Sequence, residues 1–272
     1  MTDPRVTIAV TDGIADVRLS RPTKMNALDP AMFAGIADAI ARLEHEPGLR
    51  AVVLSGEGRA FCAGLDMASM TAGGSGNDLS TRSHGPANLP QHVALGWRTL
   101  RVPVIAAVHG IAFGGGFQIM SGADIRIAAP GTRFSIMELK WGIVPDMAGY
   151  ALWRGLARDD VVRELAYTAR EFTAADAVGY GFVTRLADDP HAAAMALARE
   201  IAGRNPQAIR AAKRLANAVA DGDTASLLAA ESAEQVGLLG SPNQVEAVRA
   251  NMERRAPDFA DPDLAAEEQT HA

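Results

Sequence analysis

Apolar positions in the first half of the chain recur at two spacings. Val6 to Val10 and Ala15 to Leu19 are short β-rich runs. The Asp12-Gly13 turn signal lies between them, within Thr11 to Ile14, so the pair predicts a hairpin. Asp29-Pro30 opens a predicted helix running to about Leu43, with Met32, Ile36, Ile40 and Leu43 on one face. Arg50 to Leu54 and Val102 to Val108 read as buried strands, and Ile125 to Ala128 as a third. Strand, helix, strand order of this kind points to an α/β core. After Pro145 the spacing becomes helical throughout. The predicted helices are Met147 to Leu156, Asp159 to Thr168, Ala174 to Val178, His191 to Gly203 and Pro206 to Val219, then one long helix from about Thr224 to Glu253. Ala68 to Pro90 is rich in glycine, serine and threonine, and two readings stand side by side, a mobile lid and an ordinary surface loop. No internal repeat at fixed period is present, and the acidic tail after Pro257 is expected to fray.

A chain of 272 residues, 48% apolar and 21% charged, has the composition of a soluble globular protein of one or two domains. The opening MTDPRVTIAV holds neither a secretory signal nor a membrane span, so a cytoplasmic location and no membrane partner are expected. The single cysteine, Cys62, cannot form an internal disulfide, and between Phe61 and Ala63 it reads as a small packed residue rather than a nucleophile. A net charge of -6 argues against broad nucleic-acid binding while leaving room for a phosphorylated small ligand. The six histidines show no metal-ligand spacing with cysteine or acid, so no metal is expected. His109 reads as a packed or hydrogen-bonded residue.

The densest chemistry lies between Ile105 and Asp146. An apolar strand runs into Gly114-Gly115-Gly116 and then a helix. Glycines there let main-chain N–H groups approach a ligand, and the helix start adds partial positive charge, which together form a site for a developing oxyanion. Neither Gly56-Glu57-Gly58 nor this run completes G-x-G-x-x-G, and no G-x-S-x-G elbow occurs, so nicotinamide binding and serine hydrolysis are set aside.

Three motifs in order carry a family resemblance: Arg21-Pro22-Thr23-Lys24-Met25-Asn26-Ala27-Leu28, Arg59-Ala60-Phe61-Cys62-Ala63-Gly64-Leu65-Asp66, and His109-Gly110-Ile111-Ala112-Phe113-Gly114-Gly115-Gly116. They resemble the crotonase family, the enoyl-CoA hydratase and isomerase superfamily, over nearly the whole chain. The resemblance implies a spiral of ββα turns over residues 1–200. It also implies a C-terminal helical region, 201–272, for subunit packing and active-site cover in a homotrimer or homohexamer. The implied ligand is an acyl-CoA thioester, with coenzyme A part of the substrate and no separate cofactor. By position, the N–H groups of Ala63 and Gly115 are the expected oxyanion donors. Lys24, Ala27, Arg59, Gly64, Leu65, Asp66 and Gly114 form the expected substrate- and CoA-binding set. Asp66 is equally readable as a turn-stabilising side chain. Lys24, Arg21 and Arg59, and more weakly Lys213, stand as phosphate contacts against ordinary surface cations. Phe113, Phe117, Met120, Met137 and Trp141 are readable as acyl-tunnel lining or as core.

In the family's hydratases two glutamates flank the reacting carbons. The first falls on Gln118, whose neutral amide can hydrogen-bond a water or a thioester but cannot take a proton. The second falls on Glu138, in an apolar setting that suits a raised pKa and reversible proton transfer. Asp146 follows at the spacing of the second acid in the dienoyl-CoA isomerase branch, and it also precedes a predicted helix, so catalysis and N-capping are both open. Glu138, Asp146 and Gln118 are thus the catalytic candidates. The expected function is double-bond isomerisation of enoyl-CoA or dienoyl-CoA. Enoyl-CoA hydration and acyl-CoA binding without chemistry are the alternatives.

Overall fold

The computed structural model describes residues 4–66, 68, 71 and 76–262, so part of the Ala68 to Pro90 segment and the end of the acidic tail lie outside the described residues. Among the described residues the strands are β1 (Val6–Thr11), β2 (Ile14–Leu19), β3 (Ala51–Gly56), β4 (Val104–Val108), β5 (Ile111–Phe113), β6 (Ile125–Ala128), β7 (Arg133–Ser135), β8 (Phe172–Thr173) and β9 (Arg185–Leu186). The helices are α1 (Pro30–Glu44), α2 (Leu89–Thr99), α3 (Gly115–Ser121), α4 (Gly149–Trp153), α5 (Asp159–Thr168), α6 (Ala174–Tyr180), α7 (Pro190–Ala202), α8 (Pro206–Ala218), α9 (Thr224–Leu238) and α10 (Pro242–Glu253).

The larger sheet runs β1-β2-β3-β4-β6-β9 and the smaller β5-β7-β8. β1 and β2 form the expected antiparallel hairpin, and β3, β4, β6 and β9 then add in parallel. Because side chains alternate across a strand, the sheet splits its apolar residues between two cores. Val17, Leu19, Val52, Leu54, Val104 and Ala106 join α1, α2 and α3 in the main core. Ile14, Ala51, Val53, Ile105, Ala107 and Ile127 face Ala194 and Ala198 of α7. Continuous apolar runs at β3 and β4 follow from burial on both faces.

Asp29 caps α1 by accepting from the Met32 N–H at 2.8 Å, with Pro30 at the first helical position. Helix α2 carries a full capping box, Asn88 with Gln91, and buries Val93, Ala94 and Trp97. The sequence reading assigned no element there. Two expected helices are corrected. The long C-terminal one breaks after Leu238, where Gly240 takes a φ of +77° and the Ser241 side chain starts α10. Met147 to Leu156 shortens to α4, because Ala148 holds a φ of +63° directly before it. Among the described residues no helix is long and apolar enough to cross a membrane.

Candidate active site

One buried amide organises the pocket floor. Asn26, in the left-handed region at φ +54°, donates from Nδ2 to the carbonyls of Glu57, Ala60 and Phe61 at 3.0, 2.8 and 3.1 Å. Its Oδ1 accepts from the Arg21 N–H at 2.8 Å. The first motif is thereby locked onto the second. Cys62 lies beneath, fully buried, its thiol donating to the Asn26 carbonyl at 3.1 Å and pushed up to about 12 by burial. It packs and does not react.

The turn at Gly64 sets the backbone donors. With φ at +87°, Gly64 lies so close to the neighbouring chain that a methyl there would stand 2.7 Å from the Phe113 carbonyl oxygen and 3.6 Å from the Gly115 nitrogen. Leu28 pairs on either side of Leu65: its N–H donates to the Gly64 carbonyl at 2.8 Å and its carbonyl accepts from the Asp66 N–H at 3.0 Å. The Leu65 N–H is left without a partner among the described residues. Ala63 is different, because its N–H donates to the Met25 carbonyl at 2.9 Å. The expectation that Ala63 offers a free donor is therefore corrected: that hydrogen is spent, and the free one at this turn is on Leu65. Gly115 opens α3, whose first N–H groups lack intrahelical acceptors. Leu65 and Gly115 line the same cavity of about 410 Å³.

Glu138 enters that cavity from a short 3-10 turn, Glu138–Trp141, that follows β7. Its carboxylate is buried, and Oε1 accepts from Gln118 Nε2 at 2.6 Å while Oε2 is buried without a hydrogen-bond partner. Burial raises its pKa above the 4.5 of a free glutamate; the Gln118 hydrogen bond opposes that rise and the nearby Asp146 charge adds to it. Gln118 is fully buried. Its Oε1 accepts from the N–H groups of Met147 and Gly149 at 2.9 and 3.0 Å. The amide is thus committed to Glu138 on one side and to the turn that follows Asp146 on the other.

Asp146 keeps a solvent-facing surface, although protein packed around its carboxyl raises its pKa. That exposed surface lets the group exchange its proton with water. The N-cap reading is corrected, because the residue at the cap position of α4 is Ala148 and no side chain caps that helix.

Of the expected binding set, Lys24, Ala27, Gly64, Leu65, Asp66 and Gly114 line the cavity together with Ala63, Gly115 and Glu138. Arg59 is exposed and does not line it. Asp66 spends its carboxylate on Arg21 at 2.6 Å and the Ala68 N–H at 2.8 Å, and the Arg21 guanidinium holds its pKa down. It anchors the turn. Lys213 is no phosphate contact: it is buried, donating to the Val102 carbonyl at 2.7 Å and to Asp124 at 2.8 Å. Phe117 and Met120 are fully buried in the core, Phe117 amid Phe134, Trp153, Phe172 and Phe182, whereas Met137 and Trp141 line the cavity. His109 shares a hydrogen bond with the Gly58 carbonyl at 2.9 Å. Sequence reasoning missed the role of Asn26 and the Leu65 donor. An asparagine two residues before Leu28 was visible, but not its distant acceptors.

A family model described as Enoyl-CoA hydratase/isomerase matches residues 9–262. The chain belongs to this family. It is 32% identical over 253 residues to Enoyl-CoA hydratase EchA19 of Mycobacterium tuberculosis, covering 89% of this chain and 91% of that protein. It is 29% identical to the human mitochondrial Delta(3,5)-Delta(2,4)-dienoyl-CoA isomerase, covering 89% of this chain and 77% of that one. The solved enoyl-CoA hydratase from Mycobacterium tuberculosis H37Rv superposes with a TM-score of 0.84 at 30% identity, covering 95% and 99% of the two chains. Family members of both kinds, hydratase and isomerase, thus stand at similar distance from this chain, and the α/β fold matches theirs.

Proposed function

We propose that this family member isomerises the double bond of an enoyl-CoA or dienoyl-CoA thioester, with Glu138 moving the proton. The supporting observation is the direct Gln118–Glu138 contact of 2.6 Å. A water held between two side chains needs about 2.8 Å to each of them, so this direct contact leaves no place for one bridging Gln118 Nε2 and Glu138 Oε1. The site then has a single buried base beside a pair of free N–H groups.

In this reading the thioester oxygen sits on the Leu65 and Gly115 N–H groups. Glu138 Oε2, free of other partners, accepts a proton from the carbon next to the conjugated system, and negative charge passes to the oxygen. A donor of that kind typically contributes about 3 kcal/mol at the transition state. The same proton returns at another carbon and the double bond has moved, with no net change in atoms or charge. Asp146, able to trade protons with solvent, is the proposed second acid for a dienoyl substrate. Gln118 holds Glu138 rather than touching substrate. Coenzyme A is carried in the substrate, with Lys24 at the pocket mouth as its proposed phosphate contact.

The test is steady-state turnover on enoyl-CoA, 3-enoyl-CoA and dienoyl-CoA esters, with wild type and Glu138→Gln. Isomerisation should dominate, and Glu138→Gln should lower kcat by about 100-fold to 10,000-fold while a non-reactive acyl-CoA still binds. Rapid hydration without isomerisation would overturn the reading. Binding with no turnover on any ester would favour a non-catalytic acyl-CoA module.

A second copy of this chain is the proposed protein partner. Helix α9 buries none of its residues, and Leu228, Val236 and Leu239 are more than half exposed. Burial of that face in a homotrimer or homohexamer would remove the apolar surface from water.

A further inference from the structure

The pocket is closed on its inner side and open at its apolar end. Inward of Gly115 the space is filled, since a methyl on that residue would stand 2.7 Å from both Leu28 Cδ1 and Met147 Sδ. Behind Glu138 lies fully buried Gln118, and behind that the buried rings of Phe117 and Trp153. At the other end the cavity wall is Met137, Trp141 and Ile143. Trp141 and Ile143 are 44% and 45% exposed, and the next side chain along, Val144, is 63% exposed. Four exposed or half-buried apolar side chains thus run from the reacting carboxylate out onto the surface.

On this basis, and resting on the acyl-CoA reading above, the geometry points to a long acyl group whose tail leaves the pocket over the Trp141–Val144 lip. A short acyl group would leave that surface wet. A chain with more carbons covers it. The occupant is the substrate tail because the lip is continuous with the cavity that holds Glu138. The substrate class is therefore long apolar acyl esters rather than small acyl groups.

The experiment is kcat/KM across straight-chain esters from butenoyl-CoA to hexadecenoyl-CoA, for wild type, Trp141→Ala and Ile143→Ser. Both side chains are half exposed, so neither change removes core packing. A methylene half covered on the lip should raise kcat/KM by about twofold, with the rise levelling off once the lip is covered. Trp141→Ala should lower the ratio of long-chain to short-chain kcat/KM by about tenfold. A steep fall beyond short chains, or an unchanged ratio in both variants, would overturn the inference. So would a change in sedimentation of Trp141→Ala with no change in that ratio, which would assign the lip to a second copy. If no ester turns over, the proposed reaction fails and not the lip. Calorimetric affinity for saturated acyl-CoA esters of rising length then reads the same slope, and a flat series would overturn the lip.

Discussion

Gln118→Glu is the most informative single change, because it keeps the shape of the side chain and alters only its charge. One oxygen of the introduced carboxyl would still accept from Met147 and Gly149, and the other would face Glu138 Oε1 across the present 2.6 Å contact. Two carboxylates at that distance repel by about 6 kcal/mol at an effective dielectric of about 20. The folded pair therefore keeps one proton between its oxygens, whereas the unfolded chain releases both near the ordinary carboxylate range. The folded state then binds more protons than the unfolded one, and stability falls as pH rises. The slope is about 1.4 kcal/mol per pH unit, so the variant should lose about 3 kcal/mol relative to wild type between about pH 5 and pH 7. Urea unfolding of both proteins across that range, at one protein concentration, measures the difference. A stability gap that does not change with pH would mean that the two side chains are not in contact, and the argument against hydration would fall with it. The variant should also gain no hydratase activity, since its carboxyl would occupy the place of the amide rather than open a gap for water.

Other outcomes follow from the same geometry. The acid limb of kcat/KM should track ionisation of Glu138: it must be deprotonated to act as base, and burial raises its pKa, so activity should fall as pH drops through a midpoint above 4.5, read from a pH–rate profile. Glu138→Gln should be more stable than wild type above that midpoint and equal to it in acid, because a carboxyl raised by burial costs stability only when ionised; thermal melts at several pH values check this. Gly64→Ala would force a methyl 2.7 Å from the Phe113 carbonyl at a φ of +87°, so kcat should fall by about 100-fold or more as the Leu65 and Gly115 donors are pushed apart. Asp146→Asn should cost no stability, since no helix is capped there and burial raises the pKa of the carboxyl it replaces, while slowing turnover of dienoyl-CoA; a large stability loss with unchanged kinetics would contradict its proposed role.

Much of the chemistry was legible in local sequence. Period-two apolar runs in β1 and β2 and solid apolar runs in β3 and β4 reported their burial, since a strand exposes or hides its faces residue by residue. Asp29-Pro30 marked the start of α1 and the glycine run marked the start of α3, because caps and tight turns depend on a few neighbouring residues. Glu138 and the cavity-lining residues from Ala63 to Asp66 were placed by motif.

What the tertiary structure alone decided concerns partners distant in sequence. Ala63 and Leu65 are indistinguishable as amide donors until the Met25 carbonyl arrives to take one of them. Gln118 is a water-binding amide on paper and a strut in the fold, because three groups from two other segments hydrogen-bond it. Lys213 has the composition of a phosphate contact, but packing of α8 carries it under the main-chain oxygen of Val102. Helix propensity did not foresee the breaks at Ala148 and Gly240, where a left-handed backbone ends the pattern. Local sequence determines which groups a segment offers; a hydrogen bond is satisfied only once, so the fold determines which of those groups remain free to do chemistry.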